Sequence, residues 1–124
     1  MSDKKIMAIS TLKDIRFSLK LILKRFEKIE SSDDFMDSEE MLEKLDSISM
    51  RLVAIGEGFK NIDKLTEKTL LKNYPSIDWR GVKGVRDILS HHYFDINAET
   101  IFDICDTKIE ELLEITEKII SDLE

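Results

Sequence analysis

One cysteine, Cys105, stands in 124 residues, so no internal disulfide framework can form. One proline and four glycines are too few for the turns of a β-rich fold. No apolar run approaches the roughly 20 residues of a membrane span. The first residues, Met1-Ser-Asp-Lys-Lys, lack the uninterrupted apolar stretch of a secretory leader. These absences give the expectation of a cytoplasmic protein without membrane association. Basic charge is also in deficit: the formal net charge is -7. Strong non-specific binding to nucleic acid runs on counterion release by Lys and Arg, and the acidic balance argues against it. A local basic cleft remains compatible, because Lys72, Arg80, Lys83 and Arg86 fall within fifteen residues.

What is abundant is helical patterning. With 42% apolar and 36% charged residues, the chain suits amphipathic helices around one core, and residues 1–124 are expected to form a single domain. Ile6, Ile9, Leu12, Ile15, Leu19, Ile22, Phe26 and Ile29 recur at steps of three and four, which predicts a helix over about Ile6 to Ile29. The polar stretch Ser31-Ser-Asp-Asp closes it. Ser38 is the candidate N-cap of a second helix, with Glu39 and Glu40 at its positive end. Met41, Leu45, Ile48, Leu52, Ile55, Phe59 and Ile62 then form a heptad seam that favours near-antiparallel packing. Gly56 and Gly58 lie within it, each costing a helix interior about 1 kcal/mol relative to alanine. They mark either a kink or the close approach of another helix, from this chain or a second copy. The helix is expected to run down by Asn73, since Pro75 disfavours helical geometry at Tyr74. Asn73 to Trp79 reads as a connection, with Asp78 capping a third helix from about Trp79 to His91 whose stripe is Val82, Val85 and Leu89. A last helix is expected from Asn97 to about Leu123, burying Ile101, Cys105, Ile109, Leu112, Ile119 and Leu123. The prediction is an all-α, antiparallel four- to five-helix bundle, with the fifth helix arising if the long second one breaks.

Chemistry concentrates in Arg86-Asp-Ile-Leu-Ser-His91-His-Tyr93, which holds both histidines of the chain. A guanidinium can grip a phosphate in a fork and offset charge in a transition state. An imidazole can move a proton near neutral pH. At about 100° per residue, Arg86, Ser90 and Tyr93 share a helix face, whereas His91 lies about 140° from Arg86. Arg86 and His91 converge only if the helix ends near Ser90 or His91. In this reading Arg86 and His91 are catalytic, Tyr93 orients His91 or the phosphate, and Asp87 holds Arg86. The bland alternatives are a surface ion pair for Arg86 and an incidental histidine pair. Phosphodiester cleavage through a 2'-hydroxyl uses a base and an acid, so one useful histidine per chain suggests a two-fold dimer with this segment near its axis. No metal is expected, since zinc-type spacings and Glu-x-x-His pairs are missing from the sequence. No cofactor is expected either. Cys105 reads as a packing thiol, and Trp79 as an anchor.

The ordered block around this segment resembles a known family. Arg86, His91 and Tyr93 fit the Arg-x4-His-x-Tyr pattern of HepT-like toxins in the HEPN superfamily. Ala54-Ile-Gly-Glu-Gly-Phe-Lys-Asn61 is similar to that family's Ile-Gly-Glu segment, Tyr74-Pro-Ser-Ile-Asp-Trp79-Arg80 to its Pro-x-Ile-x-Trp-Arg connection, and Gly84-Val-Arg86-Asp87 to its Gly-Met-Arg-Asp. The match runs from about Ala54 through Phe94; the flanking helices agree in pattern only. The resemblance implies a homodimeric helical bundle with a composite Arg86/His91 site. It also implies metal-independent endoribonuclease activity on RNA, and pairing with an MNT-type nucleotidyltransferase antitoxin that adenylylates Tyr93. The sequence departs from the pattern at His92, where the family usually has a small residue. His92 either competes for the catalytic role or serves packing; His91 alone keeps the His-x-Tyr spacing. A reading of another class is a non-catalytic helical subunit that binds nucleotide or a nucleotidyltransferase.

Overall fold

The computed structural model describes residues 2–90 and 97–124. Its elements are α1 (Asp3–Phe26), a 3-10 turn (Ser32–Met36), α2 (Glu39–Leu65), a second 3-10 turn (Leu71–Asn73), α3 (Trp79–Ser90), α4 (Ala98–Thr107) and α5 (Ile109–Leu123). No strand occurs among the described residues. The all-helical bundle is therefore as expected. No helix among them is long and apolar enough to cross a membrane.

The periodic apolar positions form the core. Leu12, Ile15, Leu19 and Ile22 of α1 are buried against Leu45, Ile48, Leu52, Ile55, Phe59 and Ile62 of α2 and Ile101, Ile109, Leu112 and Ile119 of α4 and α5. Side-chain pairs give the directions. Along α1, Thr11, Ile15 and Ser18 meet Asn61, Gly58 and Arg51, so α2 runs antiparallel to it. Lys13 and Lys20 pair with Glu124 and Glu117, so α5 is antiparallel to α1 on its other side.

The Ser38 hydroxyl accepts the N–H of Met41 at 3.1 Å and starts α2 as the sequence predicts. Replacing it with alanine leaves that N–H without its cap, so Ser38→Ala is expected to lower stability by about 1 kcal/mol in chemical denaturation. The two glycines produce no break. A Cβ on Gly56 would lie 3.0 Å from the Val82 carbonyl oxygen, and one on Gly58 would lie 2.9 Å from Ile15 Cδ1. Bare backbone at these positions lets α3 and α1 approach α2 closely. Both approaching helices belong to the same chain.

Three helix boundaries and one buried residue differ from expectation. Helix α1 ends at Phe26, Ile29 packs from the turn beyond it, and Ile6 is half exposed. The polar stretch after it carries Phe35, fully buried from a 3-10 turn. The periodic pattern misses that residue because one anchor has no period. Helix α2 ends at Leu65, eight residues before Asn73. Glu67 and Lys68 adopt left-handed geometry, φ 53° and 60°, and the Lys68 N–H returns to the Asp63 carbonyl. This is a Schellman closure built without glycine. The last helix is two helices, interrupted at Lys108. Just before the break, the Thr107 hydroxyl donates to the Asp103 carbonyl, a contact that bends helices. The fifth helix thus arises from this break, while α2 stays whole.

Candidate active site

Local chemistry places α3. Asp78 Oδ1 accepts the Gly81 N–H at 3.1 Å and caps the helix, as the sequence predicts. The Trp79 ring lies 4.8 Å from the Phe59 ring, and its indole N–H donates to the Tyr74 carbonyl at 2.9 Å. The Tyr74 hydroxyl donates to Asp122 Oδ2 at 2.6 Å, tying the connection to α5. Burial and then the Asp122 carboxylate push the Tyr74 phenol up to about 12, so it stays protonated. Trp79 is the anchor the sequence suggests. One face of α3 (Val85, with Val82 and Leu89 half buried) packs on the core.

Arg86 stands beside that face with its side chain 55% exposed. Its Nη1 donates to Glu57 Oε1 of α2 at 3.1 Å. Lys60 Nζ lies 3.6 Å from the same oxygen. The Arg86 hydrogen bond, ahead of the charge of Lys60, holds the Glu57 carboxyl below its ordinary value. The pairing is therefore complete above the ordinary carboxylate range and is lost only as pH falls through the lowered value. Glu57, not Asp87, meets the guanidinium. Adjacent residues on a helix point about 100° apart and do not face each other, whereas α2 presents Glu57 to Arg86 across the seam. One guanidinium nitrogen is engaged with Glu57, and the remaining donors of the fork can meet a phosphate.

Ser90 belongs to α3. His91, His92 and Tyr93 lie outside the described residues, so the convergence of Arg86 and His91 is not described. Cys105 is buried on the α4 stripe, and burial pushes its thiol up to about 12, consistent with packing rather than nucleophilic use.

Of the basic residues that sequence proximity groups with Arg86, Lys83 alone lines a cleft with other lysines. Lys83 forms an ion pair with Asp63, a buried carboxylate of α2. It lines an open cleft of about 540 Å3 with Lys60, Lys64 and Lys68, the other walls being Asp63 and Glu67. Lys72 and Arg80 are not among its lining residues. The signal for Lys60 and Lys64 is their position at steps of three and four after Glu57, a shared helix face that only the packing of α3 gives meaning; Lys68 joins them from beyond the end of α2.

Comparison with known proteins agrees with the geometry. The family described as "Ribonuclease HepT-like" matches residues 18–119. A protein of Methanocaldococcus jannaschii named "Putative RNase MJ0127" is 36% identical over 115 residues, covering 90% of this chain and 92% of that protein. From the same organism, "Putative RNase MJ0125" is 32% identical over 115 residues, covering 90% and 96% respectively. A third, "Putative RNase MJ1216", is 36% identical over 73 residues, 59% of this chain and 57% of its own. No solved structure matches. With the family spanning most of the chain and Arg86 displayed on α3, this protein belongs to the HepT-like ribonuclease family of the HEPN superfamily.

Proposed function

We propose that the chain is the toxin of a toxin–antitoxin pair: a homodimeric, metal-independent endoribonuclease whose site combines Arg86 and His91 from both subunits. The observation that carries this reading is the intact Arg86-x4-His91-x-Tyr93 pattern, with Arg86 exposed and steadied by Glu57, in a chain of a ribonuclease family. In the reaction, the 2'-hydroxyl oxygen of RNA attacks the adjacent phosphorus and the bond to the 5'-oxygen breaks. A general base takes the hydroxyl proton and a general acid protonates the departing oxygen. Two His91 side chains, one from each subunit, supply these roles. Arg86 gathers the non-bridging oxygens, whose charge grows in the transition state. Ser90 and His92 support the segment. Adenylylation of Tyr93 by an MNT-type nucleotidyltransferase adds bulk and negative charge beside Arg86, and so excludes RNA.

The test is cleavage of a defined RNA by the purified protein in excess chelator. Cutting is expected, and it should vanish when the nucleotide 5' of the cut carries no 2'-hydroxyl. Cutting of that 2'-deoxy substrate, or a requirement for added metal, would refute the mechanism. Glu57 should act through Arg86. Glu57→Gln is expected to lower kcat about tenfold by loosening the guanidinium, with little change in KM or Tm. An unchanged kcat would remove Glu57 from the site.

A further inference from the structure

The lysine cleft has no part in the steps above, yet it adjoins them through a continuous run of charge. Arg86 and Lys60 both reach Glu57 Oε1, at 3.1 and 3.6 Å. One turn beyond Lys60 on α2 lies Lys64, and past the end of the helix lies Lys68. Lys83 faces them from α3 and is paired with Asp63. Four of the six residues lining the cleft are lysines. Neither Lys64 nor Lys68 has an ion-pair partner among the described residues, and both are exposed. The left-handed backbone at Glu67 and Lys68, which a glycine would adopt without strain, turns the chain so that both residues line the cleft.

We propose that this cleft is the track for the RNA backbone on one side of the cut. The proposal rests on the ribonuclease reading and deepens it: Arg86 holds the scissile phosphate, and Lys60, Lys64 and Lys68 hold the phosphates that follow. From Glu57 to Lys64 is seven residues, or about 10 Å of helix rise. That length is enough for successive phosphates of one extended strand to pass from Arg86 along the lysines. No aromatic side chain lines the cleft, so it holds backbone charge without stacking bases and reads no sequence. This reconciles an acidic protein with an RNA substrate. The chain repels nucleic acid in general and admits it along one basic groove.

The experiment compares wild type with the Lys64→Gln/Lys68→Gln variant. Binding of a single-stranded RNA of about ten nucleotides, made uncleavable by 2'-deoxy substitution at the cut, is measured by fluorescence anisotropy over a salt series. Cleavage of a minimal substrate of two or three nucleotides is measured in parallel. For the variant, affinity for the long RNA should fall about tenfold. Its salt slope should become shallower by roughly 1.4, at about 0.7 per lost phosphate contact. The minimal substrate should be cut at the wild-type rate. Equal affinity and equal slope, with wild type still cutting RNA and Arg86→Ala not, would overturn the track and leave the ribonuclease reading intact. A wild type that binds the long RNA but cuts nothing would overturn that reading, and the variant's slope would still decide the track. Unchanged RNA binding with loss of the nucleotidyltransferase would assign the lysines to that partner and overturn the proposal.

Discussion

Arg86→Ala is expected to lower RNA cleavage at least about a hundredfold while leaving the protein folded. The size follows from the role: removing one donor aimed at developing transition-state charge typically costs about 10²–10³ in rate. The sparing of the fold follows from position. The side chain is 55% exposed, and its only described ion pair is with Glu57, which Lys60 also approaches. Arg86→Lys separates charge from shape. An ammonium keeps the charge but loses the fork that grips two phosphate oxygens, so its rate should fall between the two. Equal rates for wild type and Arg86→Ala, measured as initial cleavage of the same RNA, would remove Arg86 from the chemistry.

Phe59→Ala is expected to produce the largest loss of stability, about 3–5 kcal/mol, read as a Tm lower by roughly 10–20 °C. Phe59 is fully buried on the α2 seam, and its ring carries that of Trp79 at 4.8 Å. The first turn of α3 rests on this stack. A cavity there cannot close easily, because α3 already lies on the bare backbone of Gly56 with the Val82 carbonyl 3.0 Å from where a Cβ would stand. Against a typical total of about 5–15 kcal/mol, the loss is a large share. Phe59→Leu, which keeps most of the volume, should cost about 1–2 kcal/mol. If Phe59→Ala melts within a few degrees of wild type, the stack is not what seats α3.

The difference between these two residues also shows what could be read from the sequence. Phe59 is legible because it sits at one position of an uninterrupted heptad seam, and the buried faces of α1, α2 and α5 are legible on the same ground. Ser38 and Asp78 are legible as caps because their side-chain acceptors act locally, on N–H groups three residues ahead. Phe35 is hidden: a lone aromatic in a polar stretch says nothing of the core it plugs. So is the end of α2, where Glu67 and Lys68 occupy a geometry that sequence rules reserve for glycine or asparagine. In the site, Arg86 is legible from its spacing to the histidines. Its partner Glu57 is not, because 29 residues separate them and only the approach of α3 over Gly56 brings them together. Asp87 is the local choice and Glu57 the tertiary one. The lysine cleft is likewise a product of packing, since its members come from α2, the turn beyond it and α3.

The central claim is that two subunits jointly build one site, and mixed dimers test it most directly. Wild type and a His91→Ala variant are co-refolded in equal amounts, so that subunits exchange at random, and RNA cleavage is measured against total protein. If each cut needs an imidazole from both subunits, only wild-type homodimers work, and activity falls to about a quarter of that of pure wild type. Activity at about half, in proportion to the wild-type subunits present, would mean that each subunit carries a complete site and would contradict the account.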